Sequence, residues 1–260
     1  MDHRPGDVPR VNRQNLRFSL DRGIAHRAAL GLIVLATDHT IEHEWRAMLR
    51  LDGVGFYESR LMNAAAITPE TLRAMEQDIT GAAALIRPGE RIDAMAFACT
   101  SGALVIGDDA VAARIRAARP GIACTTPMEA AIAGLKALGT RRVALLTPYV
   151  DELNQMMRAH LLAHGIGVPV MGSFNHENDN EVARIDAASI EAAVLGLGQE
   201  PDVDAVFVSC TSLRLVQQVE RLEGRLGKPV TSSNHALAWR TLRLAGCADA
   251  VPGFGRLMRV

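Results

Sequence analysis

Short apolar runs alternate with longer stretches whose apolar residues recur every three or four positions, and the alternation continues over most of the chain. The runs at 31–36, 54–58, 94–98, 122–125, 143–147, 168–174, 205–209 and 229–231 have the length of buried strands. The stretches at 69–85, 109–118, 128–138, 152–163, 187–195, 213–226 and 235–244 have helical periodicity. Strands that alternate with helices predict parallel sheets covered by helices, and so an α/β fold.

The pattern is also duplicated. Asp93-Ala-Met-Ala-Phe-Ala-Cys99-Thr-Ser aligns without gaps on Asp204-Ala-Val-Phe-Val-Ser-Cys210-Thr-Ser, an offset of 210 − 99 = 111 residues. Ile122-Ala-Cys-Thr-Thr-Pro-Met pairs in the same way with Pro229-Val-Thr-Ser-Ser-Asn-His, and the run from Leu32 resembles the run from Val143. The period is too long for a solenoid. It predicts two similar parallel-sheet α/β halves related by a pseudo-two-fold axis. Ligands sit beyond the carboxyl ends of parallel strands, so an active-site cleft is expected between the halves.

Composition narrows the function. Of 260 residues, 48% are hydrophobic and 22% charged, and the net charge is −1. That balance fits a globular protein and argues against a nucleic-acid partner. No apolar run reaches the roughly 18 residues of a membrane span, so no membrane partner is expected either. Residues 1–28 are rich in Arg, Pro and Asp and lack a signal-peptide core. They read as an arm that orders against a partner subunit, in a homo-oligomer. The four cysteines, Cys99, Cys124, Cys210 and Cys247, do not make a disulfide framework, which places the chain in the cytoplasm with reduced thiols.

The candidate chemistry lies in the two Cys-Thr-Ser loops. Each closes an apolar strand and precedes a helical stretch, so each cysteine is expected at a helix N-terminus. There the dipole and free amides would stabilise a thiolate, whose ordinary pKa is about 8.5. The amides and the hydroxyls of Thr100, Ser101, Thr211 and Ser212 would hold a carboxylate. A lone buried cysteine is usually a packing residue. Two at equivalent positions of two repeats, in the same hydroxyl-rich context, point instead to a pair of catalytic thiols. Cys124 and Cys247 lack that context and read as packing. No metal is expected: two thiols with no third ligand make a poor zinc site. His39-Thr-Ile-Glu-His43 has H-x-x-E-H spacing but follows a strand at once. It reads as a helix start favoured by Glu42 and Glu44.

Ala98-Cys-Thr-Ser101 and Ser209-Cys-Thr-Ser-Leu-Arg214, in this doubled layout, resemble the aspartate/glutamate racemase superfamily from about Leu30 to Leu244. Within it the chain resembles the maleate isomerase and arylmalonate decarboxylase branch. The stretch from Gly31 to Glu42 is similar to ectoine-utilisation members. The resemblance implies two facing domains, with the C-terminal helix returned to the first and no cofactor. The expected division is 29–124 plus 233–260 for the first domain and 125–232 for the second. It further implies that Tyr149, in Leu146-Thr-Pro-Tyr149, and Asn180, in Asn178-Asp-Asn, bind substrate. Decarboxylases of the branch use one cysteine, in the second half; both are present here, which favours isomerase or racemase chemistry.

One cysteine would then act as base or nucleophile and the other as acid from the opposite face, on a small carboxylate. The resembling maleate isomerases carry asparagine where Asp38 stands. An acid there suits a zwitterion, such as an ectoine-related compound or an amino acid, although Asp is also an ordinary helix cap. The alternatives are a maleate cis-trans isomerase, a malonate-type decarboxylase, or a non-catalytic ligand-binding regulator.

Overall fold

The computed structural model describes residues 11–176 and 178–260. Of the expected arm, residues 1–10 lie outside the described residues, and 11–23 carry no helix or strand. The first half runs β1 (Ala28–Leu35), α1 (Ile41–Met48), β2 (Val54–Leu61), α2 (Pro69–Ala74), α3 (Ile79–Leu85), β3 (Ala94–Ala98), α4 (Thr100–Ile106), α5 (Asp108–Ala118), β4 (Ala123–Thr125) and α6 (Pro127–Ala137). The second runs β5 (Arg142–Thr147), α7 (Asp151–Ala163), β6 (Gly167–Ser173), α8 (Asp179–Val182), α9 (Ala187–Gly198), β7 (Ala205–Val208), α10 (Val219–Leu226), β8 (Val230–Ser232) and α11 (Ser233–Leu244).

The strands form two separate four-stranded parallel sheets, ordered β2-β1-β3-β4 and β6-β5-β7-β8. The order is the same in both, as the duplicated sequence requires. Strands β1, β3 and β7 are buried along their whole length, because helices cover both faces of a parallel sheet. Edge strands β2 and β6 are only partly buried. After β8 the chain crosses back: α11 packs on α6, β3, β4 and α1 of the first half.

Two helical expectations change. The stretch 69–85 is broken by a 3-10 turn, Met75–Asp78. The break turns the buried Met75 inward against Gly102 beside Cys99. The stretch 213–226 becomes helical only at Val219, after a 3-10 turn over Val216–Gln218. Among the described residues no helix is long and apolar enough to cross a membrane.

Candidate active site

In each sheet the order in which strands are added reverses beside the first strand, between β1 and β3 and between β5 and β7. Loops leaving such a pair diverge and open a crevice at the carboxyl ends. Those after β1 and β3 carry Asp38 and Cys99-Thr-Ser101; those after β5 and β7 carry Tyr149 and Cys210-Thr-Ser212. Asp38 and Tyr149 are separated by the same offset as the two thiols. These eight residues are all at most 4% exposed, so the site is closed.

Cys99 is the N-cap of α4. Its Sγ accepts the Gly102 N–H at 3.2 Å and lies 3.9 Å from the Ser101 hydroxyl. A Cβ at Gly102 would stand 2.8 Å from both Cys99 Sγ and Met75 Cε, so glycine lets the helix pass the thiol. Cys210 has no such helix. Its Sγ accepts the Ser212 N–H at 3.4 Å, and the buried Tyr149 hydroxyl beside it opposes the rise of its pKa. Ser233 joins the loops: its Oγ accepts from the Thr100 hydroxyl at 2.9 Å and from the Cys210 N–H at 3.1 Å.

Two carboxylates complete the cluster. Asp179 accepts from the Ser212 hydroxyl at 2.7 Å and the Thr37 hydroxyl at 2.5 Å. Asp38 Oδ1 accepts the N–H groups of Thr40 and Ile41 at 2.7 and 2.9 Å, which is the capping role of an Asp before a helix. Its Oδ2 is buried without a hydrogen-bond partner. Burial raises the Asp38 pKa to about 6, opposed by the two amides and reinforced by Asp179.

The expected dipole-stabilised thiolates are not the resting state. Burial pushes both thiols up to about 12. At Cys99 the Gly102 amide opposes this shift, and Asp179 and Asp38 add to it. At Cys210 Asp179 adds to burial, and the Tyr149 hydroxyl and Ser212 amide oppose it. Desolvation of the anion outweighs one or two amide donors. Hydrogen bonds tie the four groups' loops together: Ser233 joins the two thiol loops, Ser212 of the second donates to Asp179, and Thr40, capped by Asp38, donates to the Ser212 carbonyl.

Asn180 stands apart from the cluster. Its side chain meets His39 at 3.0 Å, whereas its neighbour Asp179 reaches the thiol loops. Within the one-turn helix α8, adjacent residues point in different directions, and the sequence does not say which faces inward. Arg214 is exposed and donates to the Ile185 carbonyl at 3.0 Å. His43 meets Gln217 and Glu42 pairs with Arg60, so the H-x-x-E-H residues share no centre. Among the described residues no group of three or more His, Cys, Asp or Glu is placed to hold a metal. Ser233 was also missed. Its signal is the hydroxyl-rich Thr231-Ser-Ser-Asn segment entering α11, the same kind of strand-to-helix hydroxyl cluster as Cys-Thr-Ser.

The arylmalonate decarboxylase family profile matches residues 30–258. The chain is 39% identical to arylmalonate decarboxylase of Bordetella bronchiseptica over 139 residues, 53% of this chain and 58% of that protein. It is 31% identical to maleate isomerase of Nocardia farcinica over 243 residues, 88% of this chain and 95% of that one. Among solved structures, a cysteine-to-serine variant of Nocardia farcinica maleate cis-trans isomerase with a covalently bound succinylcysteine intermediate is similar, with a TM-score of 0.81 at 28% identity. That match covers 89% of this chain and 98% of the other.

Proposed function

The chain belongs to the arylmalonate decarboxylase family, which includes maleate isomerases, and from that premise we propose that it is a cofactor-independent isomerase or racemase acting on a small zwitterionic carboxylate through Cys99 and Cys210. The observation that supports the reading is that the two thiol loops are hydrogen-bonded to each other through Ser233 and to the segments that carry two buried carboxylates, Asp38 and Asp179. A dicarboxylate would meet two like charges in a desolvated site; a ligand with a cationic nitrogen is attracted by them. Such a cation also offsets the fields that hold the thiols protonated, and favours release of one thiol proton. The amides and hydroxyls of the Cys-Thr-Ser loops receive the substrate carboxylate.

With an amino acid, the thiolate takes the α-proton and the opposite thiol returns one to the other face. Each turnover exchanges the protonation of the pair. The same site fits an ectoine-related compound. Four free cysteines accord with a reducing compartment such as the cytoplasm. Leu16, Phe18 and Leu20 are exposed apolar residues at alternate positions of the arm, and we assign them to contacts with a second copy of the chain. Replacing all three with Ser should lower the mass measured by light scattering; an unchanged mass discards that assignment.

A second reading is maleate cis-trans isomerisation. It is favoured by the succinylcysteine intermediate of the similar structure, since thiolate addition to the double bond, rotation and elimination need the same two thiols. Proton NMR in deuterated water decides. Exchange of the α-proton of small amino acids or ectoine derivatives, lost in both cysteine variants, supports the zwitterion reading. Turnover of maleate without exchange on any zwitterion overturns it. Binding with neither reaction leaves a ligand-binding regulator.

A further inference from the structure

Glu44 is a buried carboxylate that lies outside the thiol cluster. It sits on α1 in the first half, 2% exposed, and reaches into the second half. Its Oε1 accepts the N–H groups of Leu215 at 2.6 Å and Val216 at 2.9 Å, and its Oε2 accepts from Asn234 Nδ2 at 2.7 Å. Leu215 and Val216 lie just past the Cys210 loop. The same Asn234 amide donates to the Thr211 carbonyl at 2.7 Å, and the Thr40 hydroxyl donates to the Ser212 carbonyl at 2.9 Å. The backbone from Thr211 to Val216 is thus tied at four points by side chains of the α1 segment and of α11.

Cys99 needs no such ties, because α4 begins at Thr100 and its own hydrogen bonds fix the loop. After Cys210 the helix is delayed to Val219. Among the amides between them, those of Leu215 and Val216 would stay unsatisfied in the interior without an acceptor, and Glu44 is that acceptor. We infer that Glu44 is a positioning residue for Cys210: its ionised carboxylate fixes the backbone after the second thiol and so the place of that thiol in the site. Both oxygens of the carboxylate are occupied by N–H donors. A proton on either turns an acceptor into a donor facing a donor, and the tie is lost. Burial raises the Glu44 pKa to about 7, opposed by the Val216, Asn234 and Leu215 donors, so the change falls in an accessible pH range. The titratable and charged groups facing it are Asp38 and His43 on its own segment. Glu191, Arg214 and Arg221 line the hollow that Glu44 borders from the second half.

The inference rests on the proposed function only for its catalytic consequence, because thiol position is read without substrate. The full chain is treated with iodoacetamide between pH 5.5 and 8.5, and alkylation at Cys210 and Cys99 is followed separately by peptide mass spectrometry. The ratio of the two rates should change about fivefold as pH falls, the effect of losing about one hydrogen bond. It should keep that course with His43→Gln in the background. In Glu44→Gln it should be flat, at the low-pH value. A Glu44→Gln protein with the wild-type ratio and pH course overturns the inference, as does an equal change at both cysteines. If that variant does not fold, a wild-type ratio independent of pH overturns it alone. Failure of the zwitterion reading leaves this ratio unaffected.

Discussion

Cys99 and Cys210 leave equivalent strands of two sheets with the same strand order, and both are followed by Thr-Ser, yet the loops are supported differently. The first is local. A helix starts at once, a glycine makes room for the sulfur, and the cap is the thiol itself. The second is assembled from distant parts: Ser233 at its amide, Tyr149 at its sulfur, Asp179 at its serine and Glu44 at its far end. Two copies of one motif have therefore diverged into a thiol held by its own helix and a thiol held by the rest of the molecule. A site with an acid on one face and a base on the other has use for that asymmetry, since identical surroundings would not distinguish the two proton donors.

Removing either thiol tests the shared part of the comparison and should have the largest effect. Cys99→Ala and Cys210→Ala should each lower proton exchange on the substrate by roughly 10²–10⁴-fold, the contribution of a positioned acid or base. Their stabilities should differ. Cys99→Ala removes a helix cap, which typically contributes about 1 kcal/mol, whereas Cys210→Ala removes no cap. Thermal melting beside the exchange assay checks both halves of this statement; near-normal exchange in either variant ends the two-thiol mechanism.

Crowding the first loop should have the next largest effect. In Gly102→Ala the new methyl meets Cys99 Sγ and Met75 Cε, and overpacking of this kind costs about 1–3 kcal/mol. A displaced thiol should slow turnover by up to ~10²-fold. Alkylation of Cys210 should hold its rate, because its supports are elsewhere. A parallel fall at both thiols would show that the loops are not independent.

Tyr149→Phe acts on the second loop. It removes the hydroxyl that stabilises a Cys210 thiolate, so Cys210 alkylation at fixed pH should fall by about three- to tenfold, the size of one hydrogen bond. Cys99 alkylation should change less.

Asp38→Asn acts chiefly on the fold, and the size of its effect depends on pH. Asp38 titrates at about 6 when folded, against an ordinary value of 3.8. Between those values the folded protein holds a proton that the unfolded chain has lost, so this group's contribution to stability falls as pH rises through the window. The variant should melt with the wild type near pH 4 and above it at pH 8, by about 3 kcal/mol at most. Scanning fluorimetry at the two pH values checks this. Binding of a ligand with a cationic nitrogen should weaken, and calorimetry against a matched ligand without the nitrogen should show no such loss.

The sequence determined the parts that depend on local pattern. The short apolar runs at 94–98 and 205–208, between helical stretches, have the length of buried strands. The doubled Asp-to-Cys-Thr-Ser stretch required two halves of one design with the thiols at equivalent strand ends. Asp38 and Tyr149 came from the family resemblance, although they share the same offset. Tertiary structure alone decided the rest, because it depends on which distant groups meet. Glu44 reads as a helix-start acid until α11 and the Cys210 loop are packed against it. Asp179 and Asn180 are interchangeable on paper, and only the direction of a single helical turn sends the acid inward. The thiol pKa values turned on the same difference: a helix N-terminus is legible in a sequence, but the depth of burial that overrides it exists only once both halves have closed.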